Sequence, residues 1–492
     1  MEPEPETLDI IIVGAGLTGI NSAYAILESR GEIGGTWALW KYPGVRSDSS
    51  MALFGFPWRP WPHDDTMADG PAIREYMEGC AVAEGIDKKM RFGHRVVASN
   101  WSSAEQRWTL QVEVTLPDGS IEKKVFKAWW VINASGYYSY EKPLPAVIPG
   151  IEKFGGQVVH PQFWDESIDY AGKRLAIIGS GATAVTLFPA LAKSAQSITL
   201  LQRTPSYVLS MPFKDHGVAF WSRFLPLSWA RIVNWWQRMI VETLFVNFVL
   251  TFPRVGRRFL VSEMRKQLPE GFDVDKHFNP WYNPFEQRLC FCPGGDFFQT
   301  LHQPNARIVT DTIDTVTETG ILLKSGETLE ADIIITATGL YFSLLSGVSA
   351  TVDGVSLNDT MPNRYIWNGS MLEGVPNAGL VAGYTAATWT PGADVHARQL
   401  IKLIKQIKHM EKAGATSATP YIDPAERARL PVKPDVGLNS TYMVSAYDRM
   451  PKQAGRPPWI NSSNWAGDMW RLMIGNVEKG MKFTFADKKK DI

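Results

Sequence analysis

Two strand–turn–helix glycine loops constrain this 492-residue chain more than any other feature. The first is Asp9-Ile-Ile-Ile-Val13 running into Gly14-Ala15-Gly16-Leu-Thr18-Gly19. The second is Arg174-Leu-Ala-Ile-Ile178 running into Gly179-Ser-Gly181-Ala182-Thr183-Ala184. A short apolar run feeding such a loop predicts a buried strand that turns into a helix N-terminus, where backbone N–H groups and the helix dipole receive a pyrophosphate. The first glycine makes the tight turn and the second lets the backbone approach the phosphates. The third position, Gly19 or Ala184, lets helix and strand pack closely. Two loops in one chain predict an α/β protein with two Rossmann-like dinucleotide-binding domains. They imply two nucleotides, most simply a flavin and a nicotinamide, with electrons passing between them.

Composition narrows the class. A hydrophobic share of 45% and a charged share of 20% are those of a globular enzyme. Lys plus Arg equals Asp plus Glu at 50 each, which gives no general attraction to nucleic acid or to an anionic membrane. The 3 cysteines, Cys80, Cys290 and Cys292, form no disulfide framework and no CxxC redox pair, so the expected compartment is reducing and cytoplasmic. The acidic start, Met1-Glu-Pro-Glu-Pro-Glu6, lacks the basic and apolar regions of a signal peptide. No metal-ligand spacing stands out, and a monomer is expected.

Along the chain, residues 8–13 read as the first strand and Ile26-Leu-Glu28 as the end of the second. Residues 95–115 and 121–134 read as a meander turned by Leu116-Pro-Asp-Gly119. The second βαβ unit starts at Arg174, and its second strand ends at Gln202-Arg203. Residues 213–280 read as a helical insertion. Its stretch 219–252 is rich in aromatic and aliphatic residues; the apolar run Met239 to Phe252 within it contains Glu242 and Asn247 and is too short and too polar to span a bilayer. It reads as a subdomain over a substrate channel, with a helix lying in a membrane interface as the less favoured alternative. The buried strand and small-residue turn at 331–339 repeat the pattern at 128–136, so the chain is expected to cross between domains at both places. The resulting division is 1–145 with 331–492 for one domain and 146–330 for the other. The tail from about 415 reads as irregular.

The strand ends carry chemistry. Glu28 can accept hydrogen bonds from ribose hydroxyls. It follows Gly14 unusually closely, since about 20 residues normally separate these positions. Either the crossover helix is drastically shortened, or a segment near residues 24–26 is missing from the chain; the second is the favoured reading. Arg203 and Thr204 end the corresponding strand of the second unit with no acid. A guanidinium and a hydroxyl there suit a 2′-phosphate, and hence NADPH over NADH.

Between the two loops lies Phe154-Gly-Gly156-Gln-Val-Val-His160-Pro-Gln-Phe-Trp164-Asp165. This block resembles the signature of the type I Baeyer–Villiger monooxygenases, a branch of the flavin-containing monooxygenases. Gly34-Gly35-Thr36-Trp37, Tyr42-Pro-Gly-Val-Arg-Ser-Asp48, Gln202-Arg-Thr-Pro205, Tyr282-Asn-Pro-Phe-Glu-Gln-Arg288, Ala337-Thr-Gly339 and Tyr384-Thr-Ala-Ala-Thr-Trp389 follow the family order. The resemblance runs over roughly residues 8–470.

The resemblance implies FAD in the first domain, held by Gly14, Ala15, Gly16, Thr18, Gly19, Glu28, Gly35, Thr36, Trp37, Asp48 and Val96. It implies NADPH in the second, held by Gly179, Gly181, Ala182, Thr183, Arg203, Thr204, Arg288 and Trp389. It also implies a reaction in which a ketone becomes an ester or lactone by way of an anionic flavin C4a-peroxide and O2. Arg288 would face the flavin and stabilise that anion, and Asp48 would orient Arg288. Oxygenation of a sulfide or amine, an uncoupled NADPH oxidase, and a flavin-binding protein without turnover are the alternatives. His160 and Trp164 are expected to fix a linker rather than move protons. Gln287 departs from the family, many of whose members carry Lys there, which predicts a less strict preference for NADPH.

Overall fold

The computed structural model describes residues 5–20, 25–384, 387–411, 414–434 and 437–486. Its backbone is built on two sheets. The first has 9 strands, and its centre is the 13-residue strand Ile121–Asn133. On one side this strand pairs antiparallel with Arg107–Thr115 of the meander. On the other it pairs parallel with the first strand, Glu6–Val13. The C-terminal halves of this parallel pair are apolar because both faces are covered there, Ile11, Ile12 and Trp130 being wholly buried. The second sheet has 5 strands in the order Ala306–Thr310, Ser197–Gln202, Arg174–Ile178, Ile333–Thr336 and Gln157–Val159. Every pairing in it is parallel.

Sequence and structure differ in two places. The strand Ile333–Thr336 belongs to the second sheet, so the chain leaves that sheet only after Thr336 and not at 331. The two crossings then run side by side, Tyr138–Pro143 pairing antiparallel with Leu340–Phe342. The tail is more ordered than its composition suggests. Ala415–Pro420 pairs antiparallel with Met481–Phe485, and the helix Trp465–Ile474 packs on the helix Trp389–Met410. Long-range pairing of this kind leaves little trace in a local pattern. The crossover helix of the first unit is described over Leu17–Ile20, and Ala25–Leu27 pairs parallel with Ile11–Val13. Of the segment near 24–26 where residues are expected to be missing, Tyr24 lies outside the described residues, as do 21–23.

The helical insertion consists of Gly217–Trp221, Leu227–Thr251, Pro253–Arg265 and Val274–His277. Pro253 opens its helix at a position where a missing N–H costs nothing, and the two long helices meet there at 116°. Among the described residues no single helix is long and apolar enough to cross a membrane.

The helix Trp389–Met410 seals the first core. It buries His396, whose Nδ1 lies 2.5 Å from the Ala382 carbonyl oxygen. Burial lowers the pKa of this imidazole to about 4. The folded state therefore prefers the neutral ring. The stability this contributes is fully present above the unfolded pKa of about 6.5 and is lost as pH falls toward 4. Urea unfolding should show up to about 3 kcal/mol lost over that window, and a His396→Gln variant should flatten the profile.

Candidate active site

One cavity of about 1790 Å³ reaches both glycine loops. Ordinary ligand pockets measure roughly 300–1,000 Å³, so the space accommodates two dinucleotides and a substrate. The loops owe their shapes to glycine. Gly14 has φ +104°, and a Cβ there would stand 2.9 Å from the Ala134 carbonyl oxygen. At Gly19 a Cβ would meet the Gly14 carbonyl oxygen at 1.9 Å, which is the close helix–strand contact that the third position serves. Gly179 has φ +137° and the same restriction against Ala337. Gly181 differs, because a Cβ there meets no protein atom within 4 Å. The space beside it is open to the cavity, with room for a pyrophosphate.

The buried Glu28 carboxylate faces the first loop. It accepts hydrogen bonds from the backbone N–H of Ala15 at 2.7 Å and of Arg30 at 3.0 Å. Gly14, Gly16, Thr18, Glu28, Gly35, Thr36, Trp37, Asp48 and Val96 all line the cavity, as do Gly179, Gly181, Ala182, Thr183, Arg203, Thr204, Arg288 and Trp389. Ala15 and Gly19 do not; they shape the loop from behind. Arg203 is exposed at the end of its strand and makes no ion pair among the described residues. The donor set on each side therefore fits the group expected there.

Loops of the first unit lock onto the second. Gly44 lies against Thr186 and Ala190 of the helix after the second loop, and Tyr42 packs in the core of the second unit. Arg46 holds Asp296 through two hydrogen bonds, at 2.5 and 3.1 Å. Thr36 Oγ1 and the Tyr140 hydroxyl are 3.3 Å apart.

Arg288 lines the cavity beside a cluster of tyrosines. Its Nη2 donates to the Tyr137 hydroxyl at 2.8 Å, while its buried Nε has no protein partner. Tyr137 stacks on Trp389, ring centroids 4.8 Å apart. The phenols of Tyr137 and Tyr442 beside it, then Tyr138 and Asp48, hold the guanidinium pKa well above its already high ordinary value. Asp48 is therefore near enough to be felt, but among the described residues no ion pair joins it to Arg288. The side chain that grips Arg288 directly is Tyr137. Nothing in the spacing of Tyr137-Tyr138 announces this, except that the pair immediately follows the Ala134-Ser-Gly136 turn.

Glu242 is a second residue that the sequence reading passed over. It comes from the helical insertion, lines the cavity, and accepts from the N–H and hydroxyl of Thr388, each at 2.8 Å. Burial raises its pKa. It caps the helix Trp389–Met410 and so ties the insertion to Trp389.

The signature block stands outside this cavity. Gln157–Val159 is an edge strand of the second sheet, and Gly156 lets it pass close to Asp332. Phe154 and Trp164 pack into cores, His160 accepts from the Gln162 N–H at 3.3 Å, and Asp165 accepts from the Ser167 N–H at 2.9 Å. These are bracing contacts.

The model of the flavin-binding monooxygenase-like family matches residues 9–227. The FAD-containing monooxygenase EthA of Mycolicibacterium smegmatis is 42% identical, with 97% of each chain covered. This chain belongs to the flavin-binding monooxygenase-like family. The putative FAD-containing monooxygenase MymA of Mycobacterium tuberculosis is 39% identical over 96% of both chains. Among solved structures, cyclohexanone monooxygenase with bound ε-caprolactone superimposes with TM-score 0.73 at 18% identity, covering 97% of this chain and all of the other. Steroid monooxygenase bound to NADP gives TM-score 0.73 at 18%, covering 98% of this chain. The fold of this family member is thus that of the Baeyer–Villiger monooxygenases.

Proposed function

We propose that this chain is an FAD- and NADPH-dependent monooxygenase that inserts one oxygen atom from O2 beside a ketone carbonyl, giving an ester or lactone. The observation that carries this reading is Arg288, whose buried Nε lacks a protein partner and whose Nη2 is fixed by Tyr137, in the cavity that both nucleotide loops line. When bound, the flavin takes hydride from NADPH and activates dioxygen. The protein's share is binding, orientation and charge. Glu28 and the first glycine loop hold the adenosine and pyrophosphate of FAD. The second loop, Arg203 and Thr204 hold NADPH. Arg288 stays protonated and stabilises negative charge developing on oxygen during transfer and rearrangement. Tyr137 and the stacked Trp389 keep its fork in place, and Asp48 offsets its charge at longer range. Val241 and Phe245 of the insertion supply an apolar wall that limits water.

Product analysis by mass spectrometry after NADPH-driven turnover of a mixed ketone, sulfide and amine panel tests this. Esters or lactones support it. Sulfoxides or N-oxides alone would assign the enzyme to soft nucleophiles, and peroxide released in step with NADPH consumption would make it an oxidase. The coenzyme assignment has its own check. Arg203→Ala should raise the KM for NADPH about tenfold or more, the cost of losing a charge-assisted hydrogen bond, and leave NADH use unchanged. An unaltered NADPH-to-NADH ratio of kcat/KM would contradict it.

A further inference from the structure

The helical insertion has an outer face that the reaction does not use. Along Leu227–Thr251, Trp229, Ile232, Trp236, Ile240, Leu244 and Phe248 recur at helical spacing on one stripe, and all are exposed, Trp229 by 60% and Leu244 by 64%. The opposite side of the helix buries Ala230, Asn234, Met239 and Val249. Past the bend the stripe continues. Phe248 touches Phe252 at 5.6 Å between ring centroids, and Val255 and Phe259 follow, both exposed. Soluble monomers rarely leave so long an apolar band open.

Charge says what covers it. Residues 216–265, to the end of the second long helix, contain seven arginines and two acidic residues; Glu242 is turned inward onto Thr388 and Glu263 pairs with Lys266. Asp215, just outside, holds Arg238. Arg223, Arg254 and Arg258 are exposed beside the apolar band and join no carboxylate among the described residues. A second copy of this face would set arginine against arginine. An anionic lipid surface offers both an apolar layer and a negative one. The 116° bend and the buried inner side exclude a simple span, whereas a bent amphipathic pair with interfacial tryptophans lies in the plane of a headgroup layer.

We infer that the outer face of Leu227–Thr251 and Pro253–Arg265 docks on an anionic membrane surface. Val241 and Phe259 belong to this exposed surface and also to the cavity wall, so docking sets the rim of the cavity against the bilayer.

Co-sedimentation of the FAD-loaded full chain with vesicles tests this, using phosphatidylcholine alone and phosphatidylcholine mixed with phosphatidylglycerol. Binding is expected to the mixed vesicles only, and to weaken with salt. Arg254→Glu with Arg258→Glu should reduce it about tenfold or more, and so should Trp229→Ser with Leu244→Ser. None of these four side chains lines the cavity, so flavin content and NADPH oxidation in solution should stay at the parent level and report an intact fold. No binding to the mixed vesicles, or equal binding by the parent and both variants, would overturn the inference. So would sedimentation-velocity self-association of the protein alone that Trp229→Ser with Leu244→Ser abolishes while vesicles capture nothing, since that would make the face a contact between copies.

Discussion

Arg288→Ala is expected to retain FAD yet lose ester formation by on the order of 3 kcal/mol of transition-state stabilisation, roughly a hundredfold in rate. The guanidinium is placed by Tyr137 rather than by a salt bridge, so its removal leaves a phenol without its donor and no isolated buried anion. The cost to folding is therefore modest, on the order of 1 kcal/mol for the lost hydrogen bond. Glu28 and the first glycine loop, which hold FAD in this account, are untouched. Single-turnover assays distinguish the roles: flavin reduction by NADPH should persist while ketone conversion fails. Ester formation at the parent rate would remove Arg288 from the chemistry.

Gly181→Val should abolish NADPH-dependent flavin reduction without harming the fold. A Cβ at this position meets no protein atom within 4 Å, and the residue lies at the cavity wall, so a side chain there competes only with a ligand. The neighbouring Gly179 gives the contrast. Its φ of +137° and the 2.3 Å approach of a Cβ to the Ala337 carbonyl oxygen mean that even alanine distorts the turn. Thermal unfolding should therefore separate the two, Gly181→Val melting like the parent and Gly179→Ala melting lower. Normal NADPH reduction in Gly181→Val would show that the second loop does not hold the pyrophosphate.

What the sequence disclosed follows the physics of each feature. The glycine loops are local devices, and their strands are buried on both faces, so Ile10-Ile-Ile12 and Leu175-Ala-Ile-Ile178 were legible as parallel-sheet centres. The tandem crossings were legible for the same reason, since a buried strand ending in a small-residue turn is a short-range pattern. The boundary after Thr336 was not, because it depends on pairing with Gly156's neighbours far away in the chain. The contents of the site divide the same way. Glu28, Arg203 and Arg288 sit at strand ends or inside a family block. Tyr137, Tyr442, Glu242 and Arg46 act through contacts between distant segments, such as Arg46 with Asp296 and Glu242 with Thr388, which no periodicity encodes. The pairing of Asp48 with Arg288 expected from the resemblance is a longer-range electrostatic influence here. The signature at 154–165, one of the ordered family blocks, contributes bracing to the second sheet rather than a wall of the cavity.

In the proposed reaction one atom of dioxygen ends up inside the product, next to a former ketone carbonyl. Turnover of a ketone with NADPH under heavy-isotope dioxygen, followed by mass spectrometry of the product, addresses it directly. The expected product is an ester or lactone carrying a single heavy oxygen in the newly formed C–O–C linkage, with NADPH consumed in equal amount. An unlabelled product, or NADPH consumed with the ketone recovered intact and labelled peroxide in its place, would contradict it.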